Sequence, residues 1–173
     1  MYQVGDYVVY GSHGVCRIVA EEDRRIERKV IAYFSLEPLG QPGAVYYVPS
    51  KNPAALAKLR PLIEKHELEK LLCSDQVRNC CWIHDENRRK LRYRELIARG
   101  DLTEMVSMVH ALHLHKQELM SIGKRVHQCD EVFLHDAEKN LTAEFALVLE
   151  IDPLDVPVYI SAALQKQDNW TVI

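Results

Sequence analysis

At 173 residues and 20.0 kDa the chain has room for one medium domain or two small ones, and 47% hydrophobic with 27% charged residues excludes a disordered polymer. A net charge of −3 excludes a globally basic nucleic-acid binder, and its distribution is uneven: +2 over residues 1–60, +1 over 61–101 and −6 over 102–173, so any attraction to phosphate is local. No uncharged apolar run approaches the ~18 residues of a membrane span, and the opening Tyr2-Gln3-Val4-Gly5-Asp6 has neither the basic nor the apolar part of a signal peptide, which points to the cytoplasm.

Up to about residue 50 the pattern is β. Val4 to Tyr10 leads into Gly11-Ser12-His13-Gly14, a turn whose glycines supply positive φ. Val15 to Ala20 reads as a second strand, followed by a charged loop, Glu21 to Arg25. Arg28 to Leu36 alternates, Gln41-Pro42-Gly43 turns the chain, and Ala44 to Pro49 is a short strand. This many short antiparallel strands predict a small, strongly bent sheet or partly open barrel.

The period then becomes helical. Pro61 suits the first turn of a helix running to about Leu72. A second helix spans Asp85 to Ala98, with Leu91, Leu96 and Ala98, joined by Tyr93 or Ile97, as its core stripe and Gly100 as its stop. Asp101 caps a third, Leu102 to about Met120, and Asp130 caps a fourth that continues to about Leu149. From Ile151, with Pro153 and Pro157, the chain reads as a loosely attached tail with room for one helical turn. The fold class is therefore α+β: a β module over residues 1–54, a helical module over 55–150, and a tail over 151–173.

Signals for catalysis are weak. His110 and His113 share a helix face at i, i+3 while His115 points elsewhere, and H-E-x-x-H is absent. A metal-assisted hydrolase built on His110 and His113 competes with a plain reading of polar surface and helix-seam histidines. Ser12 lies in Gly-Ser-His-Gly rather than G-x-S-x-G, and no P-loop or dinucleotide fingerprint occurs. Among Cys16, Cys73, Cys80, Cys81 and Cys129, the group Cys73, Cys80, Cys81 with His84 comes closest to a zinc pattern. Adjacent cysteines ligate one ion poorly, so neither a metal nor another cofactor is expected, nor an enzyme.

Two stretches carry more information. Between Asn87 and Arg99, Arg88, Arg89, Lys90, Arg92, Arg94 and Arg99 face only Glu95, a local charge of +5. A basic helix with Trp82 just upstream suits phosphate contacts plus one stacking or wedging ring. The competing readings are a solvated face whose arginines pair with Glu131, Asp136 and Glu138, and a Trp82 packed in the core. The second stretch is the charged run Arg24-Arg25-x-Glu27-Arg28-Lys29 beside the aromatic strand Tyr46-Tyr47-Val48. An edge strand of that kind invites strand addition by a partner, or its aromatics close the module's own core.

The opening Val4-Gly5-Asp6-x-Val8-Val9-Tyr10-x-x-His13-Gly14-Val15-x-Arg17-Ile18 resembles the start of CarD-like (CarD/CdnL) transcriptional regulators, whose module also occurs as the RNA-polymerase-interacting domain of transcription-repair coupling factors. The likeness continues through Tyr47-Val48-Pro49 and Leu59-Arg60-Pro61-Leu62-Ile63. In the helical half it includes Gly100-Asp101-Leu102, Val106-x-x-Val109 and Glu144-Phe145-Ala146-Leu147-Val148, and so covers nearly everything up to about residue 150. It implies a Tudor-like β module that docks on the RNA polymerase β subunit, and a helical module that contacts promoter DNA at the upstream edge of the bubble and stabilises the open complex. Helicase motifs of a coupling factor are absent.

Carried over by position, Arg24 falls at the family's polymerase-contacting basic position, with Arg25 beside it, and Tyr46, Tyr47 and Val48 form the docking edge. Trp82, Arg88, Arg89, Lys90 and Arg92 form the DNA side. The family often has Trp directly before x-Arg-Arg; here that position is Glu86, and Trp82 lies about one helical turn earlier. No membrane and no small-molecule substrate is implied. The alternative is a polymerase- or protein-docking module that recruits a partner without touching DNA.

Overall fold

The computed structural model describes residues 2–26, 29–78 and 81–165. It divides into two units, Met1–Leu62 and Ile63–Ile173, each built on its own apolar cluster.

In the first unit, alternation of apolar residues sets the strands. β1 (Tyr7–Tyr10), β2 (Val15–Ile26), β3 (Lys29–Pro38), β4 (Tyr46–Pro49) and β5 (Leu59–Pro61) form an antiparallel sheet in the order β4-β3-β2-β1-β5. Gly14, at φ 74°, lets the chain reverse between β1 and β2, and the Tyr10 N–H donates to the Gly14 carbonyl at 2.9 Å. The registers Val8↔Cys16, Ile18↔Leu36 and Phe34↔Val48 bring these residues onto one face, which Leu59 completes. Burial there pushes the Cys16 thiol up to about 11, so it stays protonated and packs as a small hydrophobe.

Several expectations are corrected here. Glu21 to Arg25 are strand, not loop: a bulge between Ile18 and Ala20 shifts the register, and β2 then continues paired with β3 to Ile26. This end of the hairpin carries charge on both faces, which is why it lacks a strand's hydrophobic signature. Arg28, expected to open β3, lies outside the described residues. Pro61 closes β5 on the sheet's edge, where its missing N–H costs nothing, instead of starting a helix. The unit therefore extends past the expected boundary at residue 54. Before β5, a short helix α1 (Pro53–Leu56) is capped by the Asn52 side chain, which accepts from the Ala54 N–H at 3.0 Å. The sheet does not close, in keeping with the expected bent sheet or partly open barrel, and β4 and β5 are its edges.

The second unit is helical: α2 (Lys65–Leu72), α3 (Asp75–Arg78), α4 (Glu86–Arg99), α5 (Leu102–Ser121), α6 (Gln128–Leu149) and α7 (Val156–Gln165). Asp85 and Asp101 cap α4 and α5, accepting from the Arg88 N–H at 2.7 Å and the Glu104 N–H at 2.9 Å. Gly100, left-handed at φ 66°, ends α4. Leu68, Tyr93, Leu96, Val106, Leu112, Leu141 and Phe145 lie in the core. The Ile63 N–H donates to the buried Glu144 carboxylate at 3.1 Å, tying the start of the unit to α6.

Three further expectations change in this unit. His127, not Asp130, stands at the N-cap of α6. Leu91 and Ala98 are exposed, because the buried stripe of α4 runs through Arg89, Tyr93 and Leu96. The segment after Ile151 is no loose tail as far as it is described: Val156 is fully buried, and Tyr159, Ile160 and Ala163 pack on the core.

Candidate docking edge and basic helix

On the first unit, pairing fixes which side chains share a face. Beyond the bulge, Ala20, Glu22, Arg24 and Ile26 lie opposite Ser35, Tyr33, Ile31 and Lys29, and Tyr47 and Pro49 lie opposite Ser35 and Tyr33. Arg24 and Tyr47 therefore stand on the same face, away from the core. The Arg24 guanidinium carbon sits 3.4 Å from the Tyr47 ring centroid, a cation–π contact across the sheet, and its Nε lies 3.9 Å from Glu22. Tyr47 remains 42% exposed on the edge strand β4.

The other expected docking residues do not join them. Val48 is 2% exposed and packs in the core, so its side chain is not available to a partner. Tyr46 lies on the core face, with His13 4.1 Å away between ring centroids, and its hydroxyl bonds to Gln41 at 3.0 Å. Arg25 is exposed but projects from the face opposite Arg24. Of this set, Arg24 and Tyr47 alone form a joint exposed feature; Tyr46 and Val48 contribute the backbone of the edge.

On the second unit, α4 sorts its cations by burial. Arg89 is 4% exposed; its Nε and one terminal nitrogen each donate to an Asp130 oxygen at 2.9 Å, and its other terminal nitrogen donates to the Ile83 carbonyl at 2.8 Å. Burial works against its charge, but the hydrogen bonds and charge of Asp130 outweigh burial, so the guanidinium holds its proton more firmly than a free arginine. The expected phosphate contact by Arg89 is therefore corrected: the group is enclosed and doubly bonded. Lys90 pairs with Glu86, and Arg92 with Glu104 and, at 4.0 Å, with Glu95. The pairing reading thus holds for part of the helix, with Asp130 and Glu104 as partners in place of Glu131, Asp136 and Glu138.

Arg88 stays exposed, and among the described residues no carboxylate lies within ion-pair reach of it, nor of Arg94 and Arg99. At 100° per residue, Arg94, Ala98, Leu91, Arg88 and Arg99 occupy one solvent arc, with Leu91 61% exposed near its centre. Arg94 and Arg99 were missing from the expected site. Placing Tyr93 and Leu96 in the core stripe is the sequence signal that turns both outward.

Trp82 is partly buried against the core, its ring stacked on His115 (centroids 3.7 Å apart, planes at 21°), with the Arg89 guanidinium carbon 4.4 Å from its centroid. Among the described residues, the three helix histidines have different partners. His113 bonds Glu138 at 2.6 Å, His115 stacks on Trp82, and His110 is half-buried. Cys73 and Cys81 are exposed, and Cys80 lies outside the described residues. Among the described residues, no helix is long and apolar enough to cross a membrane.

Comparison with known proteins adds one match: residues 2–63 fit the family model of the CarD-like/TRCF RID domain, which spans the sheet unit. Over those residues the chain carries a CarD-like/TRCF RID module, an RNA-polymerase-interacting domain whose family serves interaction rather than catalysis. No curated protein matches the chain.

Proposed function

We propose that the CarD-like module docks on the RNA polymerase β subunit through the β4 edge and the Arg24–Tyr47 pair, and that the exposed face of α4 then contacts promoter DNA at the upstream edge of the bubble, stabilising the open complex. The observation that carries the reading is the family match over the same residues in which Arg24 of β2 stacks on Tyr47 of the edge strand β4. A partner strand added to β4 would satisfy its free backbone groups, while the Arg24 guanidinium, held in place by the ring beneath it, would meet an acidic group.

Arg88 supplies the first phosphate contact, with Lys90 and Arg92 able to join by exchanging a carboxylate for a phosphate. Trp82 presents its exposed edge, oriented by the stack on His115. Free-DNA affinity need not be high, since docking raises the local concentration of α4 to the order of millimolar. A preference for opened DNA of ~1.4 kcal/mol then shifts the closed–open balance about tenfold.

A second reading, a docking module that recruits another protein without DNA contact, is favoured by one observation: Arg89, Lys90 and Arg92 are already paired inside the unit. Docking itself is tested by equilibrium binding to the isolated β subunit. Arg24→Ala and Tyr47→Ala should each weaken binding about tenfold, as expected for removing one partner of a desolvated contact, whereas Arg25→Ala should leave it unchanged. Equal binding by all variants would place the contact elsewhere.

A further inference from the structure

We propose that Glu86, His127 and Cys129 form a site for a divalent transition-metal ion of the zinc class. Glu86 is the first residue of α4, His127 the N-cap of α6, and Cys129 lies in the first turn of α6. One donor atom from each lies within 4.8 Å of the other two, and the Cys129 sulfur is 4.0 Å from Glu86 Oε1. Bonds of ~2.0–2.3 Å in a tetrahedral site put donor atoms ~3.3–3.8 Å apart, so rotations moving each side chain by a fraction of its length would close the set.

The backbone under this trio is already fixed. The buried Arg89–Asp130 pair joins the same two helices, Arg89 one turn beyond Glu86 and Asp130 next to Cys129. The donors are an imidazole nitrogen, a sulfur and a carboxylate oxygen, a mixed set that suits a borderline-soft ion better than calcium or magnesium. Thiolate and carboxylate together cancel a charge of +2, and the fourth position would go to water, because His127 is exposed. A cation already stands at this place: the Lys90 ammonium bonds Glu86. Metal binding therefore displaces Lys90 from Glu86.

The test is Co²⁺ titration of the purified chain, followed by Zn²⁺ competition, with circular dichroism to check each variant's fold. One equivalent should bind with a thiolate-to-cobalt absorption band that Zn²⁺ abolishes. Cys129→Ser should remove the band, His127→Ala should weaken binding at least tenfold, and Lys90→Met, which removes the competing ammonium, should tighten it several-fold. Absence of binding at millimolar Co²⁺ would overturn the proposal. So would a band that survives Cys129→Ser but is lost in Cys80→Ser/Cys81→Ser, or an affinity that Lys90→Met leaves unchanged.

Discussion

A single arginine shows how burial reassigns a charge. Arg88 and Arg89 are adjacent in the chain, yet one helical step of 100° puts Arg88 in solvent and Arg89 inside the second unit, 4% exposed. Asp130, itself buried, answers it with both oxygens. Breaking such a pair leaves a charge without a partner, whereas replacing both members with apolar groups removes the need for one. Arg89→Met should therefore cost about 3–5 kcal/mol in urea unfolding, and Arg89→Met/Asp130→Leu should recover most of the loss. A single variant within error of wild type would mean that the pair carries no structural load. Arg89 was legible as basic but not as buried, because its partner lies 41 residues away and only tertiary packing brings them together.

At the scale of elements, local chemistry was legible wherever it is self-contained. Asp85, Gly100 and Asp101 mark the ends of α4 and α5 through hydrogen bonds and a left-handed φ that need no distant partner. Asp85→Ala should accordingly destabilise the helical unit by about 1 kcal/mol, read as a lower denaturation midpoint with unchanged slope; no shift would show that the first turn of α4 is held by packing instead. Elements whose form depends on long-range pairing were not legible. β5 is a three-residue strand defined by β1, and its Leu59-Arg60-Pro61 carries no period of its own. The outer half of β2 has charges where a strand shows apolar residues, and its pairing with β3 decides the matter. α7 follows Pro153 and carries Pro157 in its first turn, and only the covering of Val156 by the core shows that it belongs to the fold.

For the whole molecule, the proposed division of labour gives polymerase docking to the sheet unit and DNA contact to the helical unit. The CarD-like module was legible because its motifs, Val4 to Ile18, Tyr47 to Pro49 and Leu59 to Ile63, follow one another in order, and the family match falls on residues 2–63. The basic stretch of α4 was legible as a charge excess. Folding neutralises part of it through Asp130, Glu86 and Glu104, and leaves Arg88, Arg94 and Arg99 outward. The most direct measurement is the lifetime of the open complex on one promoter with cognate RNA polymerase, using wild type, Arg24→Ala and Arg88→Ala/Arg94→Ala, with polymerase binding followed in parallel. Wild type should lengthen the lifetime; Arg24→Ala should fail through lost docking, and Arg88→Ala/Arg94→Ala should fail while still bound. A lifetime that wild type leaves unchanged, or that Arg88→Ala/Arg94→Ala extends as well as wild type does, would contradict a role for α4 on DNA.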